Sequence, residues 1–122
     1  MRMASEQSWN EIQFLSWDKF KGMTPSIVQL EITRITKLMR TGVLDLDEHN
    51  ALVRVRYALK QFIDCLEAST LDNMEETCGP FATQALMNMP DISAVENEEA
   101  AETLAYIVDR IKDLLQRIPL VY

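Results

Sequence analysis

Few residues in this chain have the chemistry to act on a substrate, and they are scattered. His49 is the only histidine, and Cys65 and Cys78 are the only cysteines. A general base needs a nucleophile or an orienting partner within hydrogen-bond reach, and a metal site needs several ligands meeting at one point. His49 has neither nearby in sequence and reads as an exposed residue at a helix start. The run Asp45-Leu46-Asp47-Glu48-His49-Asn50 superficially resembles a calcium loop. Its sixth position is Asn50 where glycine is needed, and its twelfth is Arg56 where a bidentate glutamate is needed. A helix N-terminus explains the same acids. Cys65 and Cys78 read as reduced thiols, the first packed in a helix and the second at a helix end before Gly79-Pro80. A bridge between them is the alternative. No phosphate-binding glycine loop, nucleophile elbow or metal quartet occurs. The chain therefore reads as non-catalytic, with no cofactor and no metal.

Charge gives a clearer signal. The formal net charge is −7, but residues 1–61 hold nine Lys/Arg against seven Asp/Glu, while residues 62–122 hold three against twelve. Between Lys60 and Arg110 there are eleven carboxylates and no cation, with Glu96, Glu98 and Glu99 clustered at one end. Such a surface repels nucleic acid, whose binding requires Lys and Arg to displace counterions. It attracts a basic protein surface and speeds encounter with it. The plainer reading is a solvated face, or one neutralised by Arg34, Lys37, Arg54 or Arg56 from other helices.

Apolar residues of the kind that anchor partners stand beside these acids. Trp9, Phe14, Trp17 and Phe20 are four of the nine aromatics and fall in the first twenty residues. They read either as core or as anchors for a second subunit or partner. Met74, Met87 and Met89 enrich the middle of the chain, and methionine adapts to irregular surfaces.

The elements that must position these residues read as helices. Leu52, Val55, Leu59, Phe62 and Leu66 recur at three- and four-residue steps and predict a buried central helix over 46–68, capped by Asp45 or Asp47. Thr24-Pro25 reads as an N-cap and first helical residue, predicting a helix to Arg40 that ends on Gly42. Its inward stripe is Val28, Ile32, Ile35 and Met39, with Val43 folding back on Leu38. Val28 to Thr33 also alternates like a strand, but helix punctuation at both ends decides for helix. Ser8 and Glu11 have capping-box spacing, predicting an earlier helix from about Trp9 to Lys21 that stops at Gly22. Ser69 to Asp72 starts a short helix that Gly79 ends, and Pro80 restarts a turn or two before Pro90. Ser93 and Glu96 form another capping-box pair, predicting a last helix over 94–118 with the seam Ala101, Leu104, Val108, Ile111, Leu115 and Ile118. Ile107 and Leu114 broaden that seam.

The expected fold is all-α: a compact bundle of about four to five helices in a single domain over 1–122. Residues 1–7 are expected to be flexible and 119–122 to form a short apolar tail. Broad apolar faces on the first and last helices predict a homodimer sharing part of this surface, in which the central and last seams serve as core or dimer contacts. Met1-Arg2-Met3 leads into polar residues and not into an apolar run, so a cytoplasmic protein without a membrane segment is expected. By elimination the chain reads as a regulator that sequesters or inhibits another protein with a basic surface, such as an anti-activator of a transcription factor. A secretion or assembly chaperone is the alternative, and an enzyme with an unfamiliar site is a more distant one.

Overall fold

The computed structural model describes residues 15–122. Among them are four α-helices: α1 (Trp17–Arg40), α2 (Leu46–Ala68), α3 (Met74–Met87) and α4 (Glu98–Arg117). Short 3-10 turns at Ile92–Ala94 and Ile118–Leu120 complete the order. No strand occurs among the described residues, and the fold is all-helical as expected. Trp9 and Phe14, the Ser8–Glu11 capping pair and the expected flexible residues 1–7 lie outside the described residues.

The organising element is α2. Asp45 Oδ1 accepts from the Glu48 N–H at 2.8 Å, and Glu48 Oε1 accepts from the Asp45 N–H at 2.9 Å, a complete capping box. Leu52, Val55, Leu59, Phe62 and Leu66 are all fully buried along its inner face. Against this face packs α3, through Met74, Cys78, Ala82 and Ala85, whose small alanines let the two backbones approach closely. From the other side α1 contributes Phe20, Ile27, Val28, Ile32, Ile35 and Leu38.

Two expected breaks are absent. The first helix does not stop at Gly22, and Thr24 caps nothing: α1 begins at Trp17, capped by the Ser16 side chain, and passes through Gly22 and Pro25. An interior glycine and proline cost a helix about 1 and 3 kcal/mol respectively. Phe20 and Ile27 lie on either side of Pro25 and are buried to within 1%, and burying each side chain stabilises by about 1.5–3 kcal/mol. Packing on both sides therefore outweighs the break. The same override carries α3 through Gly79-Pro80, so Cys78 sits inside a helix and not at its end. Ser69, expected to start that helix, is instead the C-cap of α2.

Helix ends differ in smaller ways. Gly42 closes α1 with φ +74°, the left-handed region that glycine enters freely. Leu44, and not Val43, then packs on the core. Ser93 does not cap the last helix, because Asp91 Oδ1 accepts from both its N–H (3.1 Å) and its hydroxyl (2.7 Å). Asn97 caps α4 instead, accepting from the Ala100 N–H at 2.9 Å. The seam is rotated accordingly. Leu104, Ile107, Ile111, Leu114 and Ile118 are buried, while Ala101, Val108 and Leu115 lie half-buried at its edge. The apolar tail is tied down: the Tyr122 N–H donates to the Leu15 carbonyl (2.9 Å), and the Trp17 N–H to the Tyr122 carbonyl (2.6 Å).

Candidate protein-docking groove

The fold brings the start of α2 against the chain that leaves α3. Between them opens a groove of about 420 Å³ lined by Asp45, Asp47, Glu48, Arg54, Met87, Met89 and Asp91, among others. A second, smaller depression shares Asp45, Glu48 and Ala94 with it and adds Val43, Leu44 and Glu96. The two form one continuous surface with five carboxylates (Asp45, Asp47, Glu48, Asp91, Glu96) and one cation, Arg54. Arg54 is held on the groove wall, its Nε donating to Asn88 Oδ1 at 3.1 Å. Asp45 and Glu48 spend part of their acceptor capacity on the capping box, and Asp91 on Ser93. Among the described residues Asp47 and Glu96 have no ion pair, and both are exposed.

Met87 stands at the edge of this surface, 79% exposed. It also lines a neighbouring apolar groove of about 580 Å³ between α3 and the end of α4, with Pro80, Leu115 and Pro119. An exposed flexible thioether between an acidic and an apolar groove suits a partner side chain that is itself amphipathic.

The residues singled out from sequence are dispersed. Met87, Met89 and Glu96 come together at the acidic groove. Phe20 and Met74 are fully buried in the core and do not reach the surface of this fold. Trp17 is half-buried, with its ring centroid 6.4 Å from that of Phe20 and Lys21 Nζ 5.5 Å from its centroid. Glu98 is exposed in the first turn of α4. Glu99 lies elsewhere, in a groove between α1 and α4 with Glu102, Arg34, Lys37 and Tyr106. From sequence Asp45, Asp47 and Glu48 read only as acids at a helix start, and Asp91 only as one of the eleven carboxylates between Lys60 and Arg110. The surplus of acids over what one cap consumes was the available signal.

Neutralisation by cations from other helices is limited. Arg34 and Lys37 face Glu99 and Glu102 across the α1/α4 groove, and Arg56 Nη1 donates to Thr36 Oγ1 at 3.2 Å. Among the described residues, none of Arg34, Lys37, Arg54 and Arg56 lies within 4.0 Å of any of the eleven carboxylates between Lys60 and Arg110. Arg34 instead sits 3.8 Å from Glu31 Oε2 and stacks over the Tyr106 ring at 4.8 Å. Glu31 is 4% exposed, and its Oε1 has no hydrogen-bond partner. Burial pushes its carboxyl above the ordinary range, opposed by Arg34 and Arg110.

His49 is half-buried in the first turn of α2, less exposed than expected, and its backbone N–H donates to the Asp45 carbonyl at 2.9 Å. Among the described residues, no three of His, Cys, Asp and Glu converge as metal ligands would, and no helix is long and apolar enough to cross a membrane. Comparison of the chain with protein-family models, curated proteins and solved structures finds no match.

Proposed function

We propose that this chain is a non-catalytic cytoplasmic regulator that sequesters or inhibits another protein by docking a basic segment in the groove between α2 and the end of α3. One observation carries the reading: five carboxylates and two methionines share one continuous surface with a single, already hydrogen-bonded arginine. Exposed carboxylates supply long-range attraction, which sets association rate and salt dependence. Met87 and Met89 supply the desolvated contact that sets the lifetime of the complex. A DNA-binding surface is itself basic, so a groove of this charge competes with phosphate for it, which is how an anti-activator would work.

The expected homodimer belongs to the same proposal. Its support is a stripe on the outer face of α2, where Leu46, Val53 and Tyr57 recur at steps of seven and four and are all exposed. A dimer would scatter light as about twice the 14.0 kDa chain. A mass that stays at one chain on concentrating the protein would refute it.

The docking claim is tested by the kinetics of binding to an immobilised Lys/Arg-rich amphipathic peptide. The triple variant Asp47→Asn, Asp91→Asn, Glu96→Gln should associate more slowly and with a flatter salt dependence. Met87→Ala should dissociate faster at an unchanged association rate. Unchanged kinetics in both variants would sink the reading.

A further inference from the structure

Ser69 closes α2 and is also where the two cysteines of the chain meet. Its hydroxyl donates to the Cys65 carbonyl at 2.7 Å and lies 2.9 Å from Thr77 Oγ1, 3.2 Å from Cys78 Sγ and 3.9 Å from Cys65 Sγ. Cys65 Sγ in turn donates to the Thr77 carbonyl at 3.2 Å, which is the carbonyl of the peptide bond entering Cys78. One sulfur from α2 and one from α3 therefore face the same small polar pocket, both as free thiols. They differ in access: Cys65 is half-buried and Cys78 fully buried.

A single buried cysteine in such a pocket would be inert packing. Two on adjacent helices share one hydroxyl, which lies 3.9 Å from the first sulfur and 3.2 Å from the second, so the sulfurs face each other across a single oxygen. A bridge between them further requires Cα atoms within about 7 Å. We propose that Cys65 and Cys78 form an oxidisable dithiol, and that exchange with a low-molecular-weight disulfide converts it into a bond tying the end of α2 to the middle of α3. Cys65 acts first because it reaches solvent. Its thiol gives a proton to water, the thiolate attacks one sulfur of the small disulfide, that S–S bond breaks, and one small thiolate leaves. Cys78 then loses its proton and attacks the Cys65 sulfur. The mixed S–S bond breaks and the second small thiolate departs. The protein has lost two electrons and two protons, and the small disulfide has become two thiols. Burial pushes the Cys78 thiol up, and Cys65 adds to this while the Ser69 and Thr77 hydroxyls oppose it. Cys78 is thus a poor partner for a reagent in solution. Its proximity to Cys65 makes it an effective one for the mixed disulfide.

This inference does not depend on the docking reading. It is tested on the full chain with oxidised glutathione as the probe, followed by alkylation and intact-mass measurement. No Lys or Arg lies between Lys60 and Arg110, so trypsin leaves both cysteines in one peptide. Cleavage before Asp72 separates them and reports the bridge. The expected result is a single chain lighter by two hydrogens, with no alkylated thiol, whose two halves stay joined after cleavage until a reductant is added. Its thermal midpoint should exceed that of the reduced chain. Cys78→Ser should stop at one glutathione on Cys65, and Cys65→Ser should leave Cys78 unmodified. If Cys78→Ser does not fold, the wild-type mass and the Cys65→Ser variant decide the matter. Two alkylated thiols after oxidation, one retained glutathione per wild-type chain, or disulfide-linked pairs of chains would each overturn the proposal.

Discussion

Pro25→Ala separates a continuous α1 from two helices meeting at Thr24-Pro25, and the two predict opposite signs. Pro25 occupies the ninth position of a helix that starts at Trp17, so it has no N–H to give the Lys21 carbonyl. Restoring that hydrogen bond and relieving the ring clash is worth up to about 3 kcal/mol. Two effects oppose it. Alanine gives the unfolded chain more freedom, at about 0.4–1 kcal/mol. The half-buried ring also loses part of the roughly 0.8 kcal/mol that each buried methylene contributes. The net is a gain of about 1 kcal/mol. At about 2.1 cal/mol/K of unfolding entropy per residue, a chain of 122 residues should melt about 4 °C higher. Calorimetry with a parallel urea titration measures both quantities. Thr24→Val should also stabilise, because Thr24 is fully buried and its Oγ1 has no partner. If Pro25 instead opened a helix capped by Thr24, Pro25→Ala would be neutral or destabilising, and losing the Thr24 hydroxyl would cost about 1 kcal/mol. Either result would refute the continuous helix.

Two other predictions concern the interior. Phe62→Ala, at a fully buried position in the middle of α2, should cost about 3–5 kcal/mol in a urea titration, and a loss below about 1 kcal/mol would contradict the burial. Glu31→Gln should change how stability depends on pH. Because the folded carboxyl lies above its ordinary value near 4.5, the folded state holds that proton more tightly, so Glu31 costs stability as pH rises through the raised value. The variant should melt above wild type at pH 7, and the gap should close at a pH below the ordinary value; a variant less stable at pH 7 would mean that Arg34 and Arg110 outweigh burial.

How legible the chain was differs element by element. For α2 the cap, the apolar spacing and the helix end agree with one another, and its five seam residues are all buried as the spacing implied. In α4 Leu104, Ile111 and Ile118 of the expected seam are buried, while Ile107 and Leu114, expected only to broaden it, are buried in place of Val108 and Leu115, since two interleaved apolar rows both fit a helical seam. Only packing against α3 and α1 selects Ile107 and Leu114 over Val108 and Leu115. Gly22, Pro25, Gly79 and Pro80 misled because local punctuation carries no information about what is buried on either side. The groove was illegible for a related reason. Asp45 and Glu48 are far in sequence from Asp91 and Glu96, and only the return of the chain after α3 brings them to one surface.

The central claim is that a basic partner docks on this surface, and amide chemical-shift mapping tests it most directly. Titrating the labelled chain with the Lys/Arg-rich amphipathic peptide should move the resonances of residues 45–51 and 87–96 together, with the shifts saturating and weakening as salt is raised. Shifts confined to the α1/α4 groove around Lys37 and Tyr106, or no saturable shifts at low salt, would contradict it.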